Sequence, residues 1–294
     1  MPVLRIIEPH GFCSGVKAAV EAAFKALAAP RPDGEKVYCL HELVHNAMVV
    51  DELVSRGMVF VQSLAEVPRG ATVLFSAHGV SPAVREEAAA RGLRTSDATC
   101  PFVMRVHREV RVYAARGIPV VIAGNASHDE VAGTAGEAPA GGVFIVDSPG
   151  DAAALPLPRD SEIGMVAQTT LGTGDVERIA SALRAVFPRL RTTDAASVCY
   201  ATRDRQKAVT DFVLSGGQGV IVLGSPASSN TRRLAETALA AGARFAVRAG
   251  TMEEVEALEL PPLEVFGVTS GASTPEPFLV SAAARLREKI EKAV

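Results

Sequence analysis

The sequence predicts an α/β protein built from three similar units, and two observations lead to this prediction. Short apolar strands alternate with helices along all 294 residues, which is the pattern of parallel sheets covered by helices. A group of elements then recurs three times, and each copy opens with a cysteine at the start of a predicted helix. These cysteines are Cys13, Cys100 and Cys199, which lie roughly 90 residues apart.

The composition limits the classes of protein to which the chain can belong. Hydrophobic residues make up 48% and charged residues 21%, which is typical of a globular chain and excludes a disordered one. The formal net charge of −3 argues against broad nucleic-acid binding. No apolar run approaches the ~20 residues that cross a bilayer, and the N-terminal residues do not resemble a signal peptide. We therefore expect a cytoplasmic protein with no membrane or nucleic-acid partner.

Each copy of the repeat follows the same order. The helix after the cysteine leads to a strand with a polar loop, and a second helix leads to a second strand with its own polar loop. The first loops are residues 41–46, 124–130 and 224–230, and the second loops are 74–79, 165–170 and 267–273. This order predicts three α/β domains, 1–99 with the N-terminal strand, 100–197 and 198–294. Cys39 lies outside the repeat, in an apolar strand, and is predicted to be a packed core residue.

The six polar loops follow strands, and ligands of parallel α/β sheets bind at the carboxyl ends of the strands. Most of the loops also lead into helix starts, where backbone N–H groups favour anions. Three units with these edges turned inward would form one central anion site. The three repeated cysteines would meet there at helix starts, which lower thiol pKa values. Three thiolates suit an iron–sulfur cluster with an open iron, and a zinc site completed by a histidine is the competing arrangement.

Polar residues of the loops are the candidates for binding the anion. His45, His78 and His128 can donate hydrogen bonds to phosphate oxygens. Ser228, Ser229, Asn230 and Ser273 add hydroxyl and amide donors. The loops contain almost no Lys or Arg, which favours an enclosed site. His41 and His107 are predicted to be ordinary capping or surface residues.

Glu130 is the candidate proton donor. It lies next to His128 and is predicted to face Thr169 at the centre of the molecule. Burial beside thiolates and a phosphate would raise its pKa and keep the carboxyl protonated. The alternative is a surface glutamate stabilised by the positive end of a helix.

Nine motifs, in order along nearly the whole chain, resemble those of the LytB/IspH family of 4-hydroxy-3-methylbut-2-enyl diphosphate reductases. They are GFCSGV (11–16), HELVHN (41–46), FSAHGV (75–80), DATCPFV (97–103), SHDE (127–130), QTTL (168–171), CYAT (199–202), SSN (228–230) and GAS (271–273). The family catalyses the last step of the methylerythritol phosphate route to isoprenoids.

The resemblance implies a fold, a cofactor and a reaction. It implies a pseudo-threefold cloverleaf of α/β domains around a [4Fe-4S] cluster held by the three repeated cysteines, with one open iron. The diphosphate would be bound by His45, His78, His128, Ser228, Ser229, Asn230 and Ser273. Glu130 and Thr169, with His128 beside them, would form the catalytic group. An external one-electron donor such as ferredoxin or flavodoxin would supply the electrons, and the products would be isopentenyl and dimethylallyl diphosphate.

The sequence departs from the family pattern at His10, Ala47, Met48, Asp129, Arg203, Asp204, Thr231 and Arg232. None of these departures removes a predicted ligand. They leave open a divergent paralogue that reduces a different allylic or related substrate. A non-catalytic iron–sulfur or zinc sensor is a third alternative, but a sensor needs neither a buried acid nor a shell of anion-binding groups.

Overall fold

A computed structural model of the chain describes residues 2–31, 34–192 and 198–292. Within these residues twelve strands form three four-stranded sheets, and every pair of neighbouring strands is parallel. Helices separate most consecutive strands. The prediction of an α/β fold with three similar units is therefore confirmed.

The first sheet along the chain consists of β2 (Val37–Leu40), β3 (Met58–Val61), β4 (Thr72–Phe75) and β5 (Arg94–Asp97), in the order β3-β2-β4-β5. The helices of this part of the chain are α1 (Ser14–Ala28), α2 (Ala47–Ser55) and α3 (Pro82–Ala90). Helix α3 begins at Ser81, whose side chain accepts the N–H of Val84, and Pro82 occupies its first turn. The polar loops at 41–46 and 76–79 follow the two central strands.

The second sheet repeats this arrangement. It consists of β6 (Val120–Ala123), β7 (Val143–Val146), β8 (Glu162–Ala167) and β9 (Arg189–Thr192), in the order β7-β6-β8-β9. Its helices are α4 (Pro101–Ala115), α5 (Asp129–Ala135) and α6 (Thr173–Val186). The strand β6 reads VVIA and is buried on both faces, as expected for a central parallel strand.

Alternate residues of the central strand β6 pack against different helices. Val120 and Ile122 lie in a core with Val110 of α4, whereas Val121 packs on the other face with Ile179 of α6. Helices α4 and α6 therefore cover opposite faces of the second sheet.

The third sheet consists of β1 (Val3–Ile6), β10 (Gly219–Leu223), β11 (Phe245–Ala249) and β12 (Val265–Ser270), in the order β1-β12-β10-β11. Its helices are α7 (Tyr200–Leu214), α8 (Ser229–Ala240), α9 (Met252–Ala257) and α10 (Glu276–Lys292). Among the helices that the structure describes, none combines the length and the apolar character that crossing a bilayer requires.

The N-terminal strand differs from its predicted place. The sequence predicts it in the first domain, but β1 pairs with β12, so that Val3 lies opposite Val265 in the third sheet. The reason is that the repeated unit begins one strand earlier than the sequence analysis assumed, at the strand before each cysteine. Strands β5, β9 and β1 are each the edge strand next to the second central strand, and each leads to a repeated cysteine. The natural unit of the repeat therefore begins with the edge strand and not with the cysteine.

The chain forms two compact units. One contains Met1–Ser14, His45–Val49 and Tyr200–Val294, and therefore the third sheet. The other contains Gly15–Val44 and Val50–Cys199, and therefore the first and second sheets. The domain boundaries near residues 99 and 197 stay predictions.

Candidate active site

The three repeated cysteines lie at the starts of helices, as predicted. Cys13 directly precedes α1, Cys100 is the residue that caps α4, and Cys199 directly precedes α7. All three are half-buried and none is in a disulfide. Cys39 is fully buried in β2, and burial raises the pKa of its thiol to about 12. Cys39 is therefore a core residue, as predicted, and is a poor metal ligand.

The loop that carries Cys13 is held by the third sheet and by α7. The N–H of Cys13 donates to the carbonyl of Ala272 (3.1 Å), and the N–H of Gly11 donates to Ser270 Oγ (2.8 Å). The buried guanidinium of Arg205 donates to the carbonyl of Gly11 (2.8 Å). Gly11 has φ of +69°, a conformation that favours glycine. The position of Cys13 is therefore set by backbone contacts with the loop after β12.

Cys100 is held in the same manner in the other compact unit. Its N–H donates to the carbonyl of Ala77 (3.0 Å), in the loop after β4. That loop also contains His78, so this hydrogen bond joins the segment of a repeated cysteine to the loop of a candidate anion-binding histidine. Pro101 follows at the first position of α4 and fixes the direction in which the helix leaves the loop.

His78 and His128 meet at the ends of β4 and β6. Their rings are edge to face, with centroids 5.5 Å apart and an interplanar angle of 87°. His128 caps α5, and its Nδ1 accepts the N–H of Glu130 (3.2 Å). In neutral His128 the proton is therefore on Nε2, which makes this atom a hydrogen-bond donor. The Nδ1 atom of His78 lies 3.4 Å from the hydroxyl oxygen of the buried Ser76.

Glu130 is buried and contacts Thr169, as the sequence predicts for a proton donor. Glu130 is only 3% exposed. Oε1 accepts the Thr169 N–H (2.6 Å) and Oε2 accepts the Thr169 hydroxyl (3.0 Å). Burial raises the pKa of Glu130 from 4.5 to about 7, although both hydrogen bonds from Thr169 favour the ionised form. This carboxyl can therefore hold a proton at neutral pH.

Gln168 is a positioning residue that the sequence analysis did not single out. It is buried, its Oε1 accepts the N–H of Asn125 (3.1 Å), and its Nε2 donates to Thr170 Oγ1 (3.1 Å). The bond from Asn125 ties the loop that carries Thr169 to the loop that carries His128, and the bond to Thr170 lies within the former loop. The QTTL motif was the one sequence signal that could have pointed to Gln168. Its partner Asn125 lies more than forty residues away in the sequence, so the hydrogen bond itself could not be predicted.

The other compact unit holds a second group of predicted residues. Asn230 is buried, and its side-chain oxygen accepts the N–H of Ala272 (3.0 Å). Ser228 caps α8 by accepting the N–H of Thr231 (3.3 Å). The Ser273 hydroxyl donates to the carbonyl of His45 (3.2 Å). Ser229 is half-buried in the first turn of α8.

The predicted site residues thus fall into two groups. His45, Ser228, Ser229, Asn230, Ser273 and Cys13 belong to the unit with the third sheet, and the remainder belong to the other unit. Within each group the residues lie in the loops that follow strands or in the first turns of the helices after those loops. The meeting of the three cysteines at one point stays a prediction.

The prediction that His107 is a capping or surface residue is wrong. It is buried in α4, where its Nδ1 lies 2.8 Å from Oε1 of the buried Glu137. Glu137 also accepts Arg111 (2.6 Å), whose side chain is half-exposed. The His107 ring approaches Gly79 so closely that a Cβ there would lie 2.9 Å from Cε1. The buried pair therefore supports the loop that carries His78.

Comparison with known proteins identifies the family. The sequence matches the family described as LytB protein over residues 4–287, which is nearly the whole chain.

The chain belongs to the LytB family.

Relatives of this LytB chain are similar over most of its length. It is 44% identical to a 4-hydroxy-3-methylbut-2-enyl diphosphate reductase of Burkholderia mallei, covering 96% of this chain and 85% of that protein. It is also 44% identical to the reductase of that name from Rhodococcus jostii, covering 92% and 79% of the two chains.

Solved structures of LytB relatives share the fold. The E-1-hydroxy-2-methyl-but-2-enyl-4-diphosphate reductase of Plasmodium falciparum is 35% identical and superposes with a TM-score of 0.89, covering 95% of this chain and 86% of that one. A second structure, of an (E)-4-hydroxy-3-methyl-but-2-enyl diphosphate reductase, is 29% identical with a TM-score of 0.67, covering 98% and 100%. That protein is the terminal enzyme of the non-mevalonate pathway.

Proposed function

We propose that this LytB-family protein reduces 4-hydroxy-3-methylbut-2-enyl diphosphate to isopentenyl and dimethylallyl diphosphate, in the last step of the methylerythritol phosphate pathway. The names of relatives at 44% identity support this reaction. The observation that carries it in this chain is the buried carboxyl of Glu130, because removal of a hydroxyl as water needs a proton donor. We further propose that the enzyme works in the cytoplasm.

The donor set fits an iron–sulfur cluster with three cysteine ligands. Cys13, Cys100 and Cys199 are half-buried, outside any disulfide and placed at helix starts. We leave Cys39 out of this ligand set because it is fully buried, and burial raises the pKa of its thiol. We propose that these three residues hold a [4Fe-4S] cluster. When bound, this group supplies electrons one at a time and an iron that can act as a Lewis acid toward the substrate hydroxyl.

The anion-binding shell holds the substrate by its diphosphate. Nε2 of His128 is a donor because Nδ1 is occupied by the N–H of Glu130. The His78 ring packs edge to face against that of His128, and we propose that both imidazoles bind the same anion. We propose that His45, Ser228, Ser229, Asn230 and Ser273 also bind the diphosphate. Binding at the diphosphate orients the reacting end of the substrate.

The proton leaves from a defined atom. Oε1 of Glu130 accepts the Thr169 N–H, so in the protonated acid we place the proton on Oε2, which then donates to the Thr169 hydroxyl oxygen in place of accepting from it. We propose that the Thr169 hydroxyl passes this proton to the departing substrate oxygen. Overall the substrate takes up two electrons and two protons, loses its C–O bond, releases one water and gains one C–H bond. Protonation of the allylic fragment at either end accounts for two products.

An anaerobic turnover assay tests the proposal. The iron-loaded protein is incubated with reduced methyl viologen and 4-hydroxy-3-methylbut-2-enyl diphosphate, and the products are identified by mass spectrometry. We expect both isopentenyl and dimethylallyl diphosphate, with Glu130→Gln as the matched inactive control. Brown, iron-loaded protein that leaves this substrate unchanged would overturn the proposal and favour a paralogue with another substrate. Colourless protein that retains zinc would favour the sensor.

A further inference from the structure

An open basic groove lies along one exposed side of α4, outside the site described above. It has a volume of about 590 Å³ and is lined by α4 and by the edge strand β9. Its arginines are Arg105 and Arg108 on the helix, Arg116 directly after the end of the helix, and Arg191 on the strand. Glu109 is its single acidic lining residue. The groove lies entirely within the unit that contains the first and second sheets.

The charge of this groove contrasts with the rest of the molecule. The whole chain has a formal net charge of −3, whereas the groove lining has four arginines against one glutamate. Arg191 pairs with Glu162, and Arg105 lies 3.9 Å from Glu109. Arg108 and Arg116 have no carboxylate within 4.0 Å among the residues that the structure describes. These two arginines therefore carry the excess positive charge of the groove.

Apolar groups accompany the charges. Val112 lines the groove and is 42% exposed, and Met104, on the same helix, is 43% exposed. A surface in which arginine is mixed with exposed apolar side chains is typical of protein interfaces. The arginines from 105 to 116 also extend over about 16 Å of helix axis, which is longer than a single small anion.

The groove begins close to a proposed cluster ligand. Cys100 caps α4, and Arg105 and Arg108 lie five and eight residues beyond it, about 8 and 12 Å along the helix axis. A protein bound in the groove would therefore lie beside the helix that starts at the cluster. An electron-transfer partner needs this proximity, whereas a structural partner does not.

We propose that the groove is the docking surface for the external one-electron donor, which binds through an acidic surface around its own redox centre. This inference rests on the proposed function, because only a reductase that receives electrons from outside needs such a partner. Transient redox complexes bury less than about 1,200 Å², so one groove and its rim are sufficient. Charges at such a rim act mainly on the rate of association and its dependence on salt.

The test compares a protein donor with a small reductant. The variant Arg108→Glu/Arg116→Glu reverses the two groove charges. The control Arg178→Glu changes another exposed arginine, 66% exposed, on α6, which covers the opposite face of the same sheet. Binding of a bacterial ferredoxin and of a flavodoxin is measured by calorimetry, and turnover is measured with each reduced protein and with reduced methyl viologen.

We expect the groove variant to lower kcat/KM for at least one protein donor about tenfold or more at low ionic strength, with weaker binding of that donor. The loss should shrink in high salt, and turnover with methyl viologen should match wild type in both variants. The docking proposal is overturned if neither protein donor binds, or if the groove and control variants behave alike. It is also overturned if the groove variant loses binding of inorganic phosphate, measured by the same calorimetry, but keeps binding of the protein donors. Failure of the reductase proposal is separate, since it appears as absent turnover with methyl viologen while donor binding is still measured.

Discussion

Replacing Glu130 by glutamine should abolish the pH dependence that this carboxyl imposes on turnover. With a pKa of about 7, the carboxyl is about 90% protonated at pH 6 and about 10% at pH 8. If Oε2 donates the proton that leaves with the substrate oxygen, kcat of the wild-type enzyme falls about tenfold between these pH values and about tenfold again by pH 9. Glu130→Gln keeps an acceptor for the Thr169 N–H and should lower kcat by about 10²–10⁴.

The assay measures kcat from pH 5.5 to 9 with reduced methyl viologen, whose potential does not change with pH. Asp129→Asn is the matched control, because Asp129 is the neighbouring carboxylate on α5 and is half-exposed. Its profile should keep the wild-type midpoint near pH 7. Substrate affinity and iron content of each variant are measured beside kcat, so that loss of the acid is separated from loss of the fold.

Two results would refute the assignment of the acid. A wild-type kcat that stays constant up to pH 9 would mean that the pKa of Glu130 does not limit turnover. A Glu130→Gln enzyme with the same falling profile would mean that another group is the source of the dependence.

Ionisation of the buried Glu130 carboxyl also opposes folding. Because the pKa of Glu130 is raised in the folded state, the contribution of this carboxyl to folding stability is present below pH 4.5 and is lost as the pH rises through about 7.

Three further outcomes are expected. Glu137→Ala should lower the free energy of unfolding by about 1–3 kcal/mol in urea titrations, because the buried imidazole of α4 loses its acceptor; Arg111→Ala, at a half-exposed partner, should cost less than about 1 kcal/mol, and equal losses would contradict this ranking. Cys39→Ala should leave the iron content unchanged, whereas serine at any of the three repeated cysteines should lower it; iron loss in Cys39→Ala would refute the ligand set. Gly133→Ala should raise the KM for the diphosphate substrate, because the added Cβ would lie 2.9 Å from the carbonyl oxygen of Gly79 and displace the loop that carries His78. An unchanged KM would show that this contact is irrelevant to substrate binding.

The features of the fold that depend on local sequence could be predicted. Apolar strands such as β6 and helix starts such as Pro101 carry their signals within a few residues. The same holds for the polar loops after the strands, because parallel connectivity places them at one edge of each sheet. Glu130 was found because it lies beside His128 in one of these loops, and its burial was expected from the same position.

The features that depend on distant partners could not be predicted. Edge-strand pairing of β1 is decided by a sheet more than two hundred residues away, and an apolar strand of four residues fits several sheets equally well. The burial of His107 depends on Glu137 at the end of another helix, and a single histidine in a sequence gives no sign of such a pair. Gln168 likewise gains its role from a backbone N–H in a different loop.

The place of β1 has a consequence for how the protein is made. Val3 must find Val265, so the first strand emerges from the ribosome about 260 residues before its partner, on the order of 15–50 s at ~5–20 residues per second. During that interval the segment around Cys13 lacks the carbonyl of Ala272 that later fixes it. If the three repeated cysteines hold the proposed cluster, we expect it to form after translation, and a ribosome-stalled chain truncated before residue 265 should not retain iron.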